Sequence, residues 1–415
     1  MARRRSIAAA LAALALVLLS VPLAAPGLRL VPGADAGDPS WLTGLYGGGF
    51  ALSPSTYEVL LFGAVLAWGL LLASPGGLGR RAVTALAGAL ILLFALSPPL
   101  LSLDVFSYIS YARLGVEHGL NPYTAAPEAI PADAAAMRVQ DFSDAVSVYG
   151  PLFTLLSYPL GALGVPAAMW SLKAIAALSL AGIGAVSARL ARLRGVDPVT
   201  AVIFVVLNPL MLVHVVGGAH NDGLMALLAM LAVAAALTAR PVLAGAGLAA
   251  AAAVKAAAAL YAPFALAGAS AGRDRLRLLG GLVAAAVVAA AVGLAVFGAD
   301  VLEALGVAGG NQGTVSHWSV PATLARISGI DVDVLRALLA IAYAAAVVSL
   351  LIWVMRGGDW VRAAGWAAFG LLVASAYMAP WYLVWLLPLA AVSRDRALQI
   401  GAVAFTLFQV ANGIP

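Results

Sequence analysis

The segment SPPLLSLDVFSYISYARLGVEHGLNPY, residues 97–123, organises the interpretation of the whole chain. It leaves an apolar run through a Pro-Pro pair and then places Asp104 among apolar and aromatic side chains. An acid in this position needs a reason, because apolar surroundings make its charge costly. Asp104 is therefore either the N-cap of the helix that follows, a role that Asp fills well, or a functional carboxylate.

The composition around this segment is typical of a membrane protein. The chain has 415 residues, of which 63% are hydrophobic and only 10% are charged, and its mean hydropathy is +1.02. A soluble chain of this length is much less apolar, and 43 glycines suit closely packed membrane helices. We predict an all-α polytopic membrane protein. The sequence has no cysteine, which excludes disulfides and thiolate chemistry.

Apolar runs recur along the whole chain and predict a bundle of about 11–13 transmembrane helices in a single domain over residues 1–415. Several runs are shorter than the roughly 20 residues that a straight crossing requires. The first run follows Arg3-Arg4-Arg5 and resembles a signal peptide. We interpret it as a retained first span, because it is long for a signal sequence and further spans follow.

Arginines in the short loops set the predicted orientation. They recur between apolar runs and fall on one side, as at Arg80, Arg192 and Arg273. The positive-inside rule makes that side cytoplasmic. The long connections at about 101–166 and 298–332 then lie outside. We therefore predict a multi-pass protein of the plasma membrane with its active site on the outer face.

A polar triplet interrupts the apolar pattern further along the chain. Gly217-Gly218 ends one apolar run, and His220-Asn221-Asp222 precedes the next. An N-cap role accounts for one of these polar side chains but not for all three. A helix N-terminus also favours anions, so the triplet is a candidate binding site.

Lys255 stands alone in the alanine-rich run AAAAAVKAAAALYAPF. It could snorkel toward the membrane surface. We favour a second reading, in which Lys255 neutralises an anion inside the protein, because an unpaired charge at such depth is expensive.

Aromatic and polar residues mark three further places on the predicted outer side. The sequence VYGP at 148–151 predicts a turn into an interfacial helix, with Tyr149 near the same cleft. Trp381, Tyr382 and Trp385 predict an interfacial aromatic belt. The loop at 309–318 has the composition of a sugar-contacting loop and equally of an ordinary outer loop; its candidate residues are Asn311, Gln312, His317 and Trp318.

Several function classes lack their sequence signatures. The chain contains no GxxxxGK[ST] phosphate loop, no HExxH or other metal-binding histidine spacing, and no GxSxG elbow. The absence of an evident internal repeat argues against a repeat-built transporter. The basic residues are spread along short loops, which favours membrane topology over nucleic acid as their cause. We expect no metal and no cofactor.

Together these segments resemble the actinobacterial polyprenol-phosphomannose-dependent α-1,6-mannosyltransferases of lipomannan and lipoarabinomannan assembly. That family belongs to the GT-C class of integral-membrane glycosyltransferases. The resemblance covers roughly residues 85–385 and rests on SPPLLSLDVFSYISYARLG, NPY at 121–123, VYGP at 148–151, LNPL at 207–210 with GGAHNDGLM, and KAAAALYAPF at 255–264.

The resemblance implies a GT-C-type bundle with a large outer loop that carries interfacial helices. It implies a donor made of mannose on a polyprenyl phosphate, used at the outer leaflet of the cell envelope, and a mannan or lipoglycan acceptor. In this class an acid at the start of the first large outer loop is taken as the catalytic base, and Asp104 fits that position.

The chemistry of such a donor agrees with the residues. A phosphate leaving group needs one base for the acceptor hydroxyl and positive charge for the phosphate, not the carboxylate pair of a retaining hydrolase. We expect inversion, with Asp104 as the base. The candidate donor-binding residues are Lys255 and Arg113 for the phosphate, with Tyr108, Tyr149, His220, Asn221 and Asp222 for the sugar or for orienting the base.

Other functions use the same residue types. A transporter or flippase of a lipid-linked sugar would use the same cleft and the same Lys255. A non-catalytic subunit of an envelope complex is a further alternative. Arabinose and glucose donors share this architecture, so the sequence leaves the sugar and the acceptor open.

Overall fold

The computed structural model describes residues 2–20, 53–74, 76–139, 142–269, 272–302 and 314–412. Throughout these residues the chain forms helices joined by irregular segments, with no β-strand. The prediction of an all-α polytopic membrane protein is confirmed.

The α-helices are numbered here in chain order. They are α1 (Ala2–Leu18), α2 (Pro54–Leu72), α3 (Arg80–Ala95), α4 (Asp104–Val116), α5 (Pro151–Gly161), α6 (Val165–Leu193), α7 (Pro198–Val206), α8 (Asp222–Leu237), α9 (Pro241–Val254), α10 (Tyr261–Ala267), α11 (Gly272–Phe297), α12 (Val320–Ser328), α13 (Val332–Met355), α14 (Trp360–Ala374), α15 (Leu387–Val392) and α16 (Arg396–Ala411). A π-helix, Met211–Gly217, follows α7, and the main 3₁₀-helices are Ala256–Leu260 and Pro380–Trp385.

Helix length separates the predicted spans into two groups. By length and composition, four described helices can cross a membrane: Pro54–Leu72, Val165–Leu193, Gly272–Leu302 and Val332–Met355. α7 and the π-helix pass the same test together, with a bend of 64° between them. Six further apolar helices have 10–17 residues. The predicted count of about 11–13 spans therefore includes helices shorter than a straight crossing needs.

The chain packs as two compact units. The first is built from the described parts of Met1–Ser147, Thr154–Leu224 and Phe405–Pro415, and the second from those of Val148–Phe153 and Met225–Ala404. Asp104 lies in the first unit and Lys255 in the second. The assignment of residues 1–415 to a single functional domain stays a prediction.

The LNPL sequence explains the bend after α7. Pro209 has no backbone N–H and cannot continue a regular helix. Asn208 compensates locally: its Oδ1 accepts from the Leu210 amide at 2.9 Å, and its Nδ2 donates to Thr406 Oγ1 at 3.3 Å. The chain resumes as the π-helix, a form that is frequent at functional sites.

The NPY sequence lies in the connection between α4 and α5 and ties it to the rest of the first unit. Asn121 Oδ1 accepts from the Tyr123 amide at 3.1 Å, which forms a local turn. The buried Tyr123 hydroxyl lies 2.9 Å from Thr154 Oγ1, and the Ser147 amide donates to the Pro122 carbonyl at 2.8 Å. These bonds fix both ends of the connection between α4 and α5.

Candidate active site

Asp104 is the first residue of α4 and lies beside a buried imidazole. Its Oδ2 is 3.3 Å from His220 Nδ1, and its side chain is 25% exposed whereas that of His220 is fully buried. The N-cap position of α4 is Leu103, whose side chain makes no capping hydrogen bond, and the Asp104 amide donates to Ser102 Oγ at 3.1 Å. Solvent or a substrate can therefore reach the Asp104 carboxylate. They cannot reach the His220 imidazole beside it.

Backbone strain accompanies both partners of this pair. Leu101 has φ 55° and Ala219 has φ 58°, values in the left-handed region that non-glycine residues rarely adopt. Leu101 lies three residues before Asp104, and Ala219 immediately precedes His220. Such conformations persist only where surrounding packing imposes them, and they cluster at functional sites.

Gly218 makes room for the His220 ring. A Cβ on Gly218 would lie 2.8–2.9 Å from ring atoms of His220 and 2.7 Å from the His214 carbonyl oxygen. Real Cβ atoms avoid such distances. The double glycine that precedes the triplet therefore ends an apolar run and also leaves room for the His220 imidazole.

Tyr108 and Asn221 complete the polar surface around the pair. The Tyr108 hydroxyl is 3.5 Å from both Asn221 Oδ1 and the Asn221 amide, which are long hydrogen bonds. Asn221 is buried, and its Nδ2 has no hydrogen-bond partner among the described residues. Asp222 is fully buried at the first position of α8. The first unit therefore places Asp104 beside His220 and Tyr108 beside Asn221. Their predicted roles in one site stay predictions.

Arg113 is held by an acid that the sequence analysis did not single out. Its Nε donates to both carboxylate oxygens of Asp133, at 2.8 and 3.1 Å, and its Nη1 donates to the Gly161 carbonyl at 3.2 Å. His118 Nε2 lies 3.1 Å from the same carboxylate. These contacts give Arg113 a structural role, so we favour Lys255 over Arg113 for the donor phosphate.

Asp133 anchors this cluster as a carboxylate. Burial raises the pKa of Asp133, but hydrogen bonds from the Ala135 amide, His118 and Arg113, together with the charge of Arg113, outweigh burial. The pKa of Asp133 therefore lies below its usual value. A group with a lowered pKa stabilises the folded state above its ordinary pKa and loses that contribution as the pH falls through the folded value.

We expect Asp133→Asn to destabilise the protein by about 1.5–3 kcal/mol at neutral pH, because it leaves Arg113 short of a charged hydrogen-bond partner. Thermal unfolding in detergent between pH 3 and pH 7 measures this. The gap between wild type and variant should narrow at the acid end, where wild-type Asp133 also loses its charge. The exposed Asp144→Asn is the control. A gap that stays constant with pH would contradict the assignment.

Lys255 lies at a break between α9 and the following 3₁₀-helix, in an extended conformation. Its Nζ is 4.7 Å from the ring centroid of Tyr382 and 5.7 Å from that of Trp385, and the two rings stack at 4.2 Å. Cation–π attraction of this kind helps to hold an ammonium group in place.

The VYGP sequence supports this break. The Gly150 amide donates to the Val254 carbonyl at 3.1 Å, which is a carbonyl that the end of α9 leaves without a helical partner. A Cβ on Gly150 would collide with the Ala253 backbone, so only glycine permits this approach. Tyr149 packs edge-on against Phe153 at 5.7 Å. The predicted turn thus stabilises the segment that carries Lys255.

The prediction that Trp381, Tyr382 and Trp385 form an interfacial aromatic belt is wrong. Trp381, Tyr382 and Trp385 are only 8–9% exposed, and they pack inside the second unit rather than on a lipid-facing surface. Hydropathy and residue type do not distinguish a ring at the membrane interface from one that faces a buried lysine.

The loop at 309–318, which the sequence places on the outer side, is described only in part. Asn311 and Gln312 lie outside the described residues. His317 is exposed, its carbonyl accepts from Arg326 at 3.0 Å, and its ring meets Trp318 edge-on at 6.3 Å. Their predicted contact with an acceptor stays a prediction.

Sequence reasoning overlooked Lys173. This lysine is fully buried in α6, and its Nζ lies within 3.4 Å of four oxygen atoms. The signal was available: Lys173 stands alone in an apolar run, by the same argument that singled out Lys255. No group of three His, Asp or Glu side chains within the described ranges is arranged to hold a metal ion.

The fold and the site define a class: a polytopic membrane protein with a partly exposed acid supported by a buried histidine. The chain belongs to the α-(1→6)-mannopyranosyltransferase family, since the family model described as "Alpha-(1->6)-mannopyranosyltransferase, N-terminal domain" matches residues 8–271. The predicted family is therefore confirmed.

Curated relatives carry the same description. The chain is 32% identical over 198 residues to α-(1→6)-mannopyranosyltransferase A of Mycobacterium tuberculosis, covering 45% of this chain and 36% of that protein. It is 28% identical over 152 residues to the protein of that name from Corynebacterium glutamicum, covering 36% of this chain and 30% of that protein. The matched segments span about a third of these relatives' length. No solved structure matches the chain.

Proposed function

We propose that the protein transfers mannose from a polyprenyl-phosphate donor to a mannan or lipoglycan acceptor at the outer face of the plasma membrane, with inversion and formation of an α-1,6 link. The observation that carries this proposal is the carboxylate of Asp104, partly exposed and 3.3 Å from the buried His220 in a chain of this family. The donor, the linkage and the acceptor come from the family resemblance.

The proposed reaction is a single displacement. Asp104 takes the proton of the acceptor hydroxyl as the oxygen attacks C1 of mannose from the face opposite the phosphate. The bond between C1 and the phosphate oxygen breaks, and the polyprenyl phosphate leaves with the electron pair. A β-linked donor gives an α-linked product by this route.

His220 and its neighbours support the base in this scheme. The buried His220 ring lies 3.3 Å from the Asp104 carboxylate and limits the orientations that this carboxylate can take. Asn221 offers a buried amide donor, which suits a sugar hydroxyl. Tyr108, which contacts Asn221, and Asp222, at the start of the next helix, extend the same polar surface.

Lys255 supplies the positive charge in the proposal. A departing phosphate needs a cation placed in advance, and such preorganised electrostatic stabilisation is a major part of catalysis. The break at Lys255, the bond from Gly150 and the two aromatic faces hold the ammonium in one place. Tyr149 is assigned to the same donor site.

The decisive experiment incubates the purified protein with polyprenyl-phosphate mannose and a short α-mannoside. Mass spectrometry should detect an acceptor that is longer by one hexose, and methylation analysis should place the link at position 6. Parallel reactions with arabinose and glucose donors test the choice of sugar. Donor that crosses the bilayer of proteoliposomes without a covalent product would contradict the proposal and support a flippase.

The outward orientation is open to a direct test. Since the native chain has no cysteine, Ala134→Cys, an exposed position in the connection between α4 and α5, should react with a membrane-impermeant maleimide in intact cells. Val196→Cys, beside Arg194, should react only after permeabilisation. The reverse pattern would invert the topology and move the site to the cytoplasm.

A further inference from the structure

Lys173 is the least expected charged residue in the first unit. It lies in the apolar helix α6 and is fully buried. Its Nζ donates to the carbonyls of Gly217 at 2.8 Å, Pro98 at 3.3 Å and Val216 at 3.3 Å, and to Ser97 Oγ at 3.4 Å. Among the described residues all its hydrogen-bond partners are neutral oxygens.

Three of the acceptors of Lys173 are backbone carbonyls in irregular backbone or at a helix end, and each of them also accepts another hydrogen bond. Pro98 is in the irregular segment between α3 and α4, and Val216 and Gly217 end the π-helix. Carbonyls at helix ends lack an intrahelical donor, and within a membrane the protein itself must supply one. An ammonium group carries three N–H donors and serves several such carbonyls at once.

These acceptors belong to the two segments that carry the acid–imidazole pair. Ser97 and Pro98 lie on the segment that leads into Asp104, and Val216 and Gly217 lie just before His220. The same two segments also meet directly, because the Leu100 amide donates to the Gly217 carbonyl at 3.1 Å. Lys173 therefore binds both segments from a third element, the rigid helix α6.

The backbone near the acid–imidazole pair is strained, which explains why it needs contacts that hold it in place. The left-handed residues Leu101 and Ala219 each lie between the atoms that Lys173 holds and the residue of the pair. Strained backbone relaxes unless neighbouring contacts hold it. A buried charge is retained at considerable cost, and removing Lys173 would take away the hydrogen bonds that tie both segments to α6.

We propose that Lys173 is a positioning residue that holds the Asp104 and His220 segments at the separation required for the acid–imidazole pair. Its part in turnover rests on the proposed function, whereas its part in holding the segments does not. Lys173 touches neither the acceptor nor the donor in this assignment.

The first test measures the separation of the two segments and needs no activity assay. A Cβ built on Gly217 lies 3.4 Å from Leu100 Cβ, close to the roughly 3.5–4.5 Å of a disulfide. The Leu100→Cys/Gly217→Cys pair, in a chain otherwise free of cysteine, should form a disulfide readily under mild oxidation. Adding Lys173→Met should lower the yield at a fixed redox potential by about tenfold or more, as expected for loss of charge-assisted hydrogen bonds. An unchanged yield would overturn the proposal.

Two further variants keep this test interpretable. Lys173→Gln retains two N–H donors and should give an intermediate yield; it carries the test if the methionine variant does not fold. Ser187→Ala, a buried change on the same helix whose hydroxyl has no hydrogen-bond partner among the described residues, should leave the yield unaltered. Equal losses in the Lys173 and Ser187 variants would mean general damage to α6 and would overturn the proposal.

The second test asks whether Lys173 acts through Asp104. Lys173→Met should lower kcat with little change in the donor KM, and it should cost little more in an Asp104→Asn background. If Lys173→Met lowers kcat by the same factor in the Asp104→Asn background as in the wild type, the two residues act independently. That result would overturn the positioning role. Oxidising the cysteine pair in the Lys173→Met protein should restore part of kcat. If the wild type transfers no mannose at all, the proposed function fails, and the disulfide yields still decide the role of Lys173.

Discussion

Asp104→Asn should reduce turnover by about 10²–10⁴-fold, the usual value of general-base assistance, while leaving the fold and donor binding intact. Asn has nearly the shape of Asp and keeps the contact with the His220 ring, but it cannot accept the proton of a sugar hydroxyl. Rates of product formation by mass spectrometry, together with melting temperatures, measure both expectations.

The capping interpretation makes the opposite prediction. Asn caps helices about as well as Asp, so a mere cap would tolerate Asp104→Asn and would lose only stability in Asp104→Ala. Glu117→Gln, an exposed acid at the other end of α4, is the matched control and should keep wild-type turnover. Near wild-type turnover of the Asp104→Asn protein would remove Asp104 from the mechanism and make Asp222 the next candidate.

Lys255→Met should weaken apparent donor affinity by about 10–100-fold, since a charged hydrogen bond to a phosphate contributes roughly 1.5–3 kcal/mol. Affinity for the α-mannoside acceptor should change little. The measurement is the donor and acceptor KM determined separately, because the proposal predicts a loss for one substrate only.

Two controls separate the phosphate role from packing. Lys255→Arg retains the charge and should recover a large part of donor affinity, while Tyr382→Leu removes one aromatic face and should have a smaller effect than Lys255→Met. An unchanged donor KM in Lys255→Met would contradict the proposal and leave Lys255 with a structural role.

The sequence predicted the helical class and the association of two distant polar segments. Composition requires helices, because a bilayer leaves few other ways to satisfy the backbone. Asp104 and His220 are predicted to share a site because the charge pattern places both on one side of the membrane, and the structure puts them 3.3 Å apart. The motif residues Asn208 and Gly150 have concrete backbone roles that a motif alone does not state.

Other features depend on tertiary contacts that no local pattern encodes. Arg113 is bound by Asp133, which an irregular loop brings to it and which no local pattern pairs with it. The predicted contact of Arg113 with the donor phosphate stays a prediction. Trp385 resembled an interfacial ring until its position beside Lys255 was known. Lys173 could have been found from sequence, yet its partners are backbone carbonyls, which every residue carries and no motif marks.

The length of α9 has a consequence for the lipid around the protein. Its 14 residues, Pro241–Val254, rise ~21 Å, against a hydrocarbon thickness of about 30 Å. With Arg240 at the cytoplasmic boundary of the proposed topology, Lys255 sits several ångströms beneath the outer headgroup plane. A lipid phosphate would reach that depth only if it is drawn inward or if the leaflet thins locally, so the proposed donor binding should depend on hydrophobic mismatch. Reconstitution into bilayers of graded acyl-chain length should accordingly change the donor KM, with thinner membranes favouring the encounter.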